Sequence, residues 1–133
     1  SNHVGYLAKN KGVREIMKKF QKKIIQKNKR ICVEGRDIAS TILKKNPRYD
    51  LAFYFTCNLN EASIRRWKDL KKKVPLKEVK KSLSIRTKLD KKRKHSPLKK
   101  MRDAILIRTD KLNKKKVLLK MSREIEKINY KIL

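Results

Sequence analysis

Sulfur and aromatic rings are scarce in this sequence. Only two cysteines occur among 133 residues. They show no CxxC spacing and have no neighbouring histidine set, so the pattern of a structural metal site is missing. Cys32 and Cys57 both sit inside apolar runs, where two buried free thiols and a reducing compartment are the expectation. Aromatic residues make up 6% of the chain. Phe53, Tyr54 and Phe55 fall in an expected strand and Trp67 on an apolar helical stripe, so they read as core rather than as a base-stacking platform. No apolar run approaches the roughly 18 residues of a membrane span, and no charged-then-apolar signal segment opens the chain. A soluble, cytoplasmic protein with no membrane partner is expected.

Acidic residues are also few. Twelve Asp and Glu stand against 41 Lys and Arg, a formal net charge of +29. Such a balance attracts polyanions at long range, so nucleic acid remains a possible non-specific partner. AT-rich codons would enrich lysine, asparagine and isoleucine in the same way, and any protein that handles phosphates also favours a basic balance. Charge alone therefore does not separate a nucleotide enzyme from an RNA binder. The length suits one domain with a modest core.

Residues 13 to 25 place Val13, Ile16, Met17, Phe20 and Ile24 at helical spacing. The run Ile31–Val33 follows as a strand buried on both faces, and Gly35 ends it and lets the backbone turn sharply. "LAFYFT", 51 to 56, reads as a second buried strand. A helix follows, capped by Asn58 or Asn60, with Ile64, Trp67 and Leu70 on one face. Pro75 suits the first turn of the next helix, striped by Leu76, Val79 and Leu83 and ended at the latest by Pro97. "DAILIRT", 103 to 109, is a third strand. A last helix carries Leu118, Met121, Ile125, Ile128 and Ile132. Short buried strands with intervening helices predict an α/β fold with an open parallel sheet.

Open α/β sheets bind ligands beyond the carboxyl ends of their strands. Arg36 and Asp37 lie at such an end, although an isolated "GRD" equally fits a surface ion pair or a helix cap. Arg86, Asp90 and Arg93, spaced by four and three, share one helical face in a segment poor in apolar residues and so not clamped to the core. A solvated face competes with that reading. In favour of function, the two arginines stand where lysine is the local habit, and their planar forks suit phosphate oxygens. A mobile arginine-bearing helix would serve as a phosphoryl-transfer lid.

Taken in order, "VRE" (13–15), "EGRDIAST" (34–41), "IRRWKDL" (64–70), "IRTKLDKKRKHSPL" (85–98) and "DAILIRT" (103–109) resemble bacterial cytidylate kinase, a P-loop nucleoside monophosphate kinase. Arg86, Asp90, Arg93, Pro97 and Leu98 reproduce the family's lid signature. The resemblance implies transfer of the ATP γ-phosphoryl group to CMP or dCMP, with ATP and Mg²⁺ as cofactors and the metal held by phosphates and water. It implies Arg14 and Asp37 as cytosine readers and Arg36 and Arg93 as the arginines on the CMP phosphate and the moving phosphoryl group. It also implies Arg86 and Asp90 as a lid pair, around 84–98, that contacts the nucleotide on closure. The catalytic set is thus Arg36, Arg86 and Arg93, and the CMP-binding set Arg14, Arg36, Asp37, Asp90 and Arg93.

Departures accompany the match. Gly5 stands where the family has a base-reading serine, Arg108 where it usually has aspartate, and Thr87 and Lys88 where its lid is acidic. Nothing in the sequence matches GxxxxGK[ST], the loop that cradles ATP phosphates. A chain starting at "SNHVGYLAKN" is therefore expected to be a partial CMP kinase domain over 1–133, with its first strand and P-loop absent and its strands flanking a gap. The N-terminal portion would be a partner, and the chain alone would not phosphorylate CMP at a normal rate. The alternatives are a basic RNA-binding or ribosome-associated protein, an inactive kinase remnant, or one half of a split gene. His3 and His95 point to no chemistry.

Overall fold

The computed structural model describes residues 10–94 and 96–129. It divides into two compact units, the first ending at Tyr49 and the second beginning at Asp50. Gly5, His3, His95 and Ile132 lie outside the described residues.

In the first unit, helix α1 (Lys11–Gln26) starts where Asn10 can cap it. The Asn10 side chain accepts a hydrogen bond from the Val13 N–H at 3.2 Å, satisfying one of the donors a helix start leaves over. The expected apolar face is present but open: Ile16 is 68% and Phe20 57% exposed. The expected strand at 31–33 does not form. Ile31 and Cys32 are exposed, and no strand partner pairs with them among the described residues. An apolar run supplies strand propensity, but only a neighbouring ladder satisfies its N–H and C=O groups. Cys32 is consequently an exposed free thiol and Cys57 a half-buried one, not the buried pair expected.

A π-helical turn spans Ile38–Ile42, closed by Leu43 N–H donating to Ile38 O at 2.8 Å. Ile42 and Leu43 are the buried residues among those described in this unit. The chain bends at Arg36 and Asp37 directly after Gly35, as expected, but Gly35 has no positive φ, so the bend does not require glycine there. Close packing does: a Cβ placed there would meet Ile38 Cγ1 at 2.7 Å.

The second unit holds a parallel two-stranded sheet, β1 (Phe53–Thr56) and β2 (Ile105–Arg108), with Phe53 opposite Ile105 and Thr56 opposite Arg108. Two helices connect them, α2 (Leu59–Asp69) and α3 (Leu76–Lys92), and these pack against each other. Ala52, Val79, Ala104 and Ile107 form the buried core. Asn58 caps α2 by accepting from Glu61 N–H at 2.8 Å. The buried Ser63 hydroxyl donates back to Leu59 O at 2.5 Å, so its polar group is not stranded.

The α2–α3 turn runs through Lys71 and Lys72 at φ 52° and 59°, and the Lys72 ammonium sits 5.0 Å from the Trp67 ring centre. Pro75 occupies the cap position just before α3 rather than its first turn. Helix α3 stops at Lys92, five residues short of Pro97. Helix α4 (Lys114–Asn129) leaves Leu118 and Ile125 exposed, against the packed face expected of them. Phe55, read as core, is 48% exposed. The fold class is α/β with a parallel sheet and flanking helices, as expected, with two strands among the described residues where three were anticipated.

Candidate functional site

Two of the candidate residues meet in the first unit. Helix α1 carries Arg14, and the turn ahead of the π-helical segment carries Asp37. Arg14 Nη2 donates to Asp37 Oδ2 at 2.6 Å, with the side chains 21% and 18% exposed. Nothing in the local sequence of either residue predicts this contact, which spans 23 positions. Gly35 shapes the approach, because its lack of a Cβ lets Ile38 close over it. The Asp37 carbonyl starts the next turn, accepting from Thr41 N–H at 2.8 Å. The backbone of Asp37 is thus fixed, and its carboxylate is aimed by an arginine. Arg36 is half-buried beside Asp37.

The other three candidates meet in the second unit. Asp90 lies in the last turn of α3 and is only 2% exposed. Arg93 Nη2 donates to its Oδ1. Arg86 Nε is 4.0 Å from its Oδ2, with a side chain 65% exposed. The returning chain also binds there, since Leu98 N–H donates to Asp90 O at 2.8 Å. Freedom from the core was expected for this segment. It holds for the exposed Arg86, Lys88 and Leu89, but not for Asp90, which is buried and tied on both sides. A charge this buried needs a partner, and Arg93 supplies it.

One network escaped sequence reasoning. Arg65, on α2, has its Nε on Glu61 Oε1 at 2.9 Å, its Nη1 on Thr109 Oγ1 at 3.2 Å, and its Nη2 on Thr109 O at 2.7 Å. Asn58 N–H donates to Asp110 Oδ1 at 2.5 Å, and Thr109 N–H to Thr56 O at 2.8 Å. These bonds join the carboxyl ends of both strands. The Asn58 amide holds the Asp110 carboxyl below its ordinary value; partial desolvation opposes this, while the Asp110 amide, the Asn58 side chain and the Arg65 cation add to it. An available signal was "TD" directly after β2, opposite the "TCN" that ends β1. An open hollow of about 490 Å³ nearby is lined by Asn58, Leu59, Asn60, Glu61, Ile64 and Lys80, none of them a candidate residue. Among the described residues, no three His, Cys, Asp or Glu side chains gather where they could hold a metal ion. No described helix is long and apolar enough to cross a membrane.

The family model described as cytidylate kinase matches residues 1–127. The cytidylate kinase of Alkaliphilus oremlandii is 37% identical over 109 residues, covering 80% of this chain and 48% of that protein. That of Bacillus velezensis is 37% identical over 116 residues, covering 85% and 50%. That of Caldanaerobacter subterraneus subsp. tengcongensis is 35% identical over 130 residues, covering 96% and 56%. The chain spans about half the length of these curated relatives.

Proposed function

The chain belongs to the cytidylate kinase family, and from that premise we propose that it supplies the CMP site and the lid of a nucleoside monophosphate kinase acting on CMP or dCMP. The observation that carries the reading is the Arg14–Asp37 pair. Cytosine presents N3 and O2 as acceptors and its N4 amino group as a donor. Arg14 answers the first two and the Asp37 carboxylate the third. Uracil turns an acceptor toward that carboxylate and leaves a desolvated charge without its bond.

Arg36 in the first unit and Arg93 in the second are each assigned to the CMP phosphate from the family resemblance, not from their placement relative to one another. Arg86 and Asp90 are the lid pair on α3; for Asp90 to reach a sugar hydroxyl, its buried contact with Arg93 would have to open when the nucleotide binds. A CMP phosphate oxygen attacks the γ-phosphorus of ATP, the bond to the β–γ bridging oxygen breaks, and CDP and ADP leave. Charge spreads over the transferred oxygens, and Arg36, Arg86 and Arg93 offset it, so the chemistry calls for positioning and cations rather than a general base. Mg²⁺, carried by the nucleotide phosphates and water, would neutralise phosphate charge; no residue of this chain is assigned to it. No GxxxxGK[ST] occurs within these 133 residues, so we assign to them the acceptor side of the reaction. The setting proposed is the cytoplasm.

Ligand-dependent melting tests the reading. CMP raises the unfolding midpoint of the protein and UMP at equal concentration raises it far less, because only a ligand that binds the folded state stabilises it. Equal shifts, or none, would overturn the assignment of a cytosine site. RNA binding in place of a cytosine site predicts no difference between the two nucleotides.

A further inference from the structure

The lysines of α3 are not scattered. At 100° per residue, Lys77, Lys80, Lys81, Lys88, Lys91 and Lys92 all fall within an arc of about 120°, and all six are exposed. Glu78, Ser82, Ile85 and Leu89 are exposed too, yet they lie outside that arc and none is a lysine. An AT-rich codon bias accounts for how many lysines there are, but not for their placement on one side. Arg86 and the buried Asp90 sit on the opposite side of the helix, so the ridge lysines face away from the proposed nucleotide contacts, although Lys88, Lys91 and Lys92 share the lid segment with them.

The ridge also works against the helix that carries it. Lys77 with Lys81, and Lys88 with Lys92, are like-charge pairs one turn apart, and each pair destabilises the helix. Lys77 stands in the first turn, where the helix dipole disfavours a cation. The concentration of charge continues in the sequence that flanks α3. Residues 65–102 hold eighteen of the 41 Lys and Arg and only three of the twelve acids, one of which is the buried Asp90.

We propose that this lysine ridge on α3 is a second binding site, for the phosphate backbone of duplex nucleic acid. The ridge is about 22 Å long from Lys77 to Lys92, at 1.5 Å rise per residue. It carries no aromatic side chain, so it offers charge to phosphates and no stacking to bases. Recognition is therefore sequence-independent. A bilayer surface suits it less well: Ile85 and Leu89 along one edge and Leu76 at the other are the exposed large apolar side chains of α3, too few and too divided to seat a helix in the headgroup layer.

The test uses fluorescence anisotropy with a mixed-sequence 20-base-pair RNA duplex, the matching DNA duplex, and phosphatidylserine–phosphatidylcholine vesicles, all without CMP or ATP. Two variants of equal charge are compared, Lys77→Gln/Lys81→Gln/Lys88→Gln/Lys92→Gln on the ridge and Lys19→Gln/Lys23→Gln/Lys45→Gln/Lys115→Gln elsewhere. The ridge variant binds duplex about 10- to 100-fold more weakly near 0.1 M salt, and its log–log salt slope is shallower by about 3 to 4. The other variant loses less than about threefold. Its loss of two like-charge pairs means that the ridge variant unfolds no earlier than the wild type, which separates lost binding from lost folding. Comparable binding to both duplexes, or preference for one, identifies the nucleic acid and supports the site. Equal losses in the two variants, or ridge-dependent binding to vesicles but not to either duplex, would overturn it.

Discussion

Asp110 shows how one carboxylate can make the joint between two strands respond to pH. Its pKa is lowered, chiefly by the Asn58 amide. A group whose folded pKa is depressed contributes stability above its unfolded value, near pH 4, and loses that contribution as the pH falls through the lowered value. Asp110→Asn should therefore be less stable than the wild type at neutral pH, with the gap closing at the acid end of a series of urea midpoints. A gap that stayed constant with pH would contradict this. The residue scale is also where the sequence was hardest to read. "GRD" marked Asp37 and helical spacing grouped Arg86, Asp90 and Arg93, because those signals are local. The bond between Arg14 and Asp37 crosses 23 positions, and no spacing rule reaches that far. Gly35 could be seen as special, but only the nearby Ile38 side chain shows why.

Helices were legible as elements because their period and caps are written locally. Asn58 announces α2 and the apolar period from Val13 announces α1, whose Asn10 cap only the structure shows. Strands were less so, since a strand exists only with a neighbour. β1 and β2 find each other, whereas the equally apolar Ile31–Val33 has no ladder among the described residues. Within α3, burial sets the scale of each interaction. Asp90 is 2% exposed and bonded to Arg93, so Asp90→Ala should cost about 3 kcal/mol, near the low end for a broken buried pair because the part-exposed Arg93 can turn to water. Arg86 is 65% exposed and 4.0 Å from the same carboxylate, so Arg86→Ala should cost less than about 1 kcal/mol in stability. Chemical denaturation of both variants checks the ordering. If Arg86→Ala proved as destabilising as Asp90→Ala, the buried pair would not be what holds the end of α3. A kinase role would still make Arg86→Ala costly to phosphoryl transfer, separating function from folding at one position.

For the whole molecule, family membership and α/β class could be read from ordered motifs, while the exposed apolar residues of α1 and α4 could not. Periodicity says which face is apolar and not what covers it. With ATP, Mg²⁺ and CMP supplied, the 133 residues by themselves should form ADP far more slowly than cytidylate kinases do, and rapid ADP release in a coupled assay would contradict their assignment to the acceptor side. Selectivity between pyrimidines is the property on which the proposed function rests. Calorimetric titration of CMP and UMP into the wild-type protein and into Asp37→Asn addresses it directly. The predicted result is CMP binding at least about tenfold tighter than UMP in the wild type, the value of one hydrogen bond to a charged group, with the ratio falling toward one when an amide that can also donate replaces the carboxylate. A wild type that binds both nucleotides equally, or a preference for CMP that survives Asp37→Asn unchanged, would contradict it.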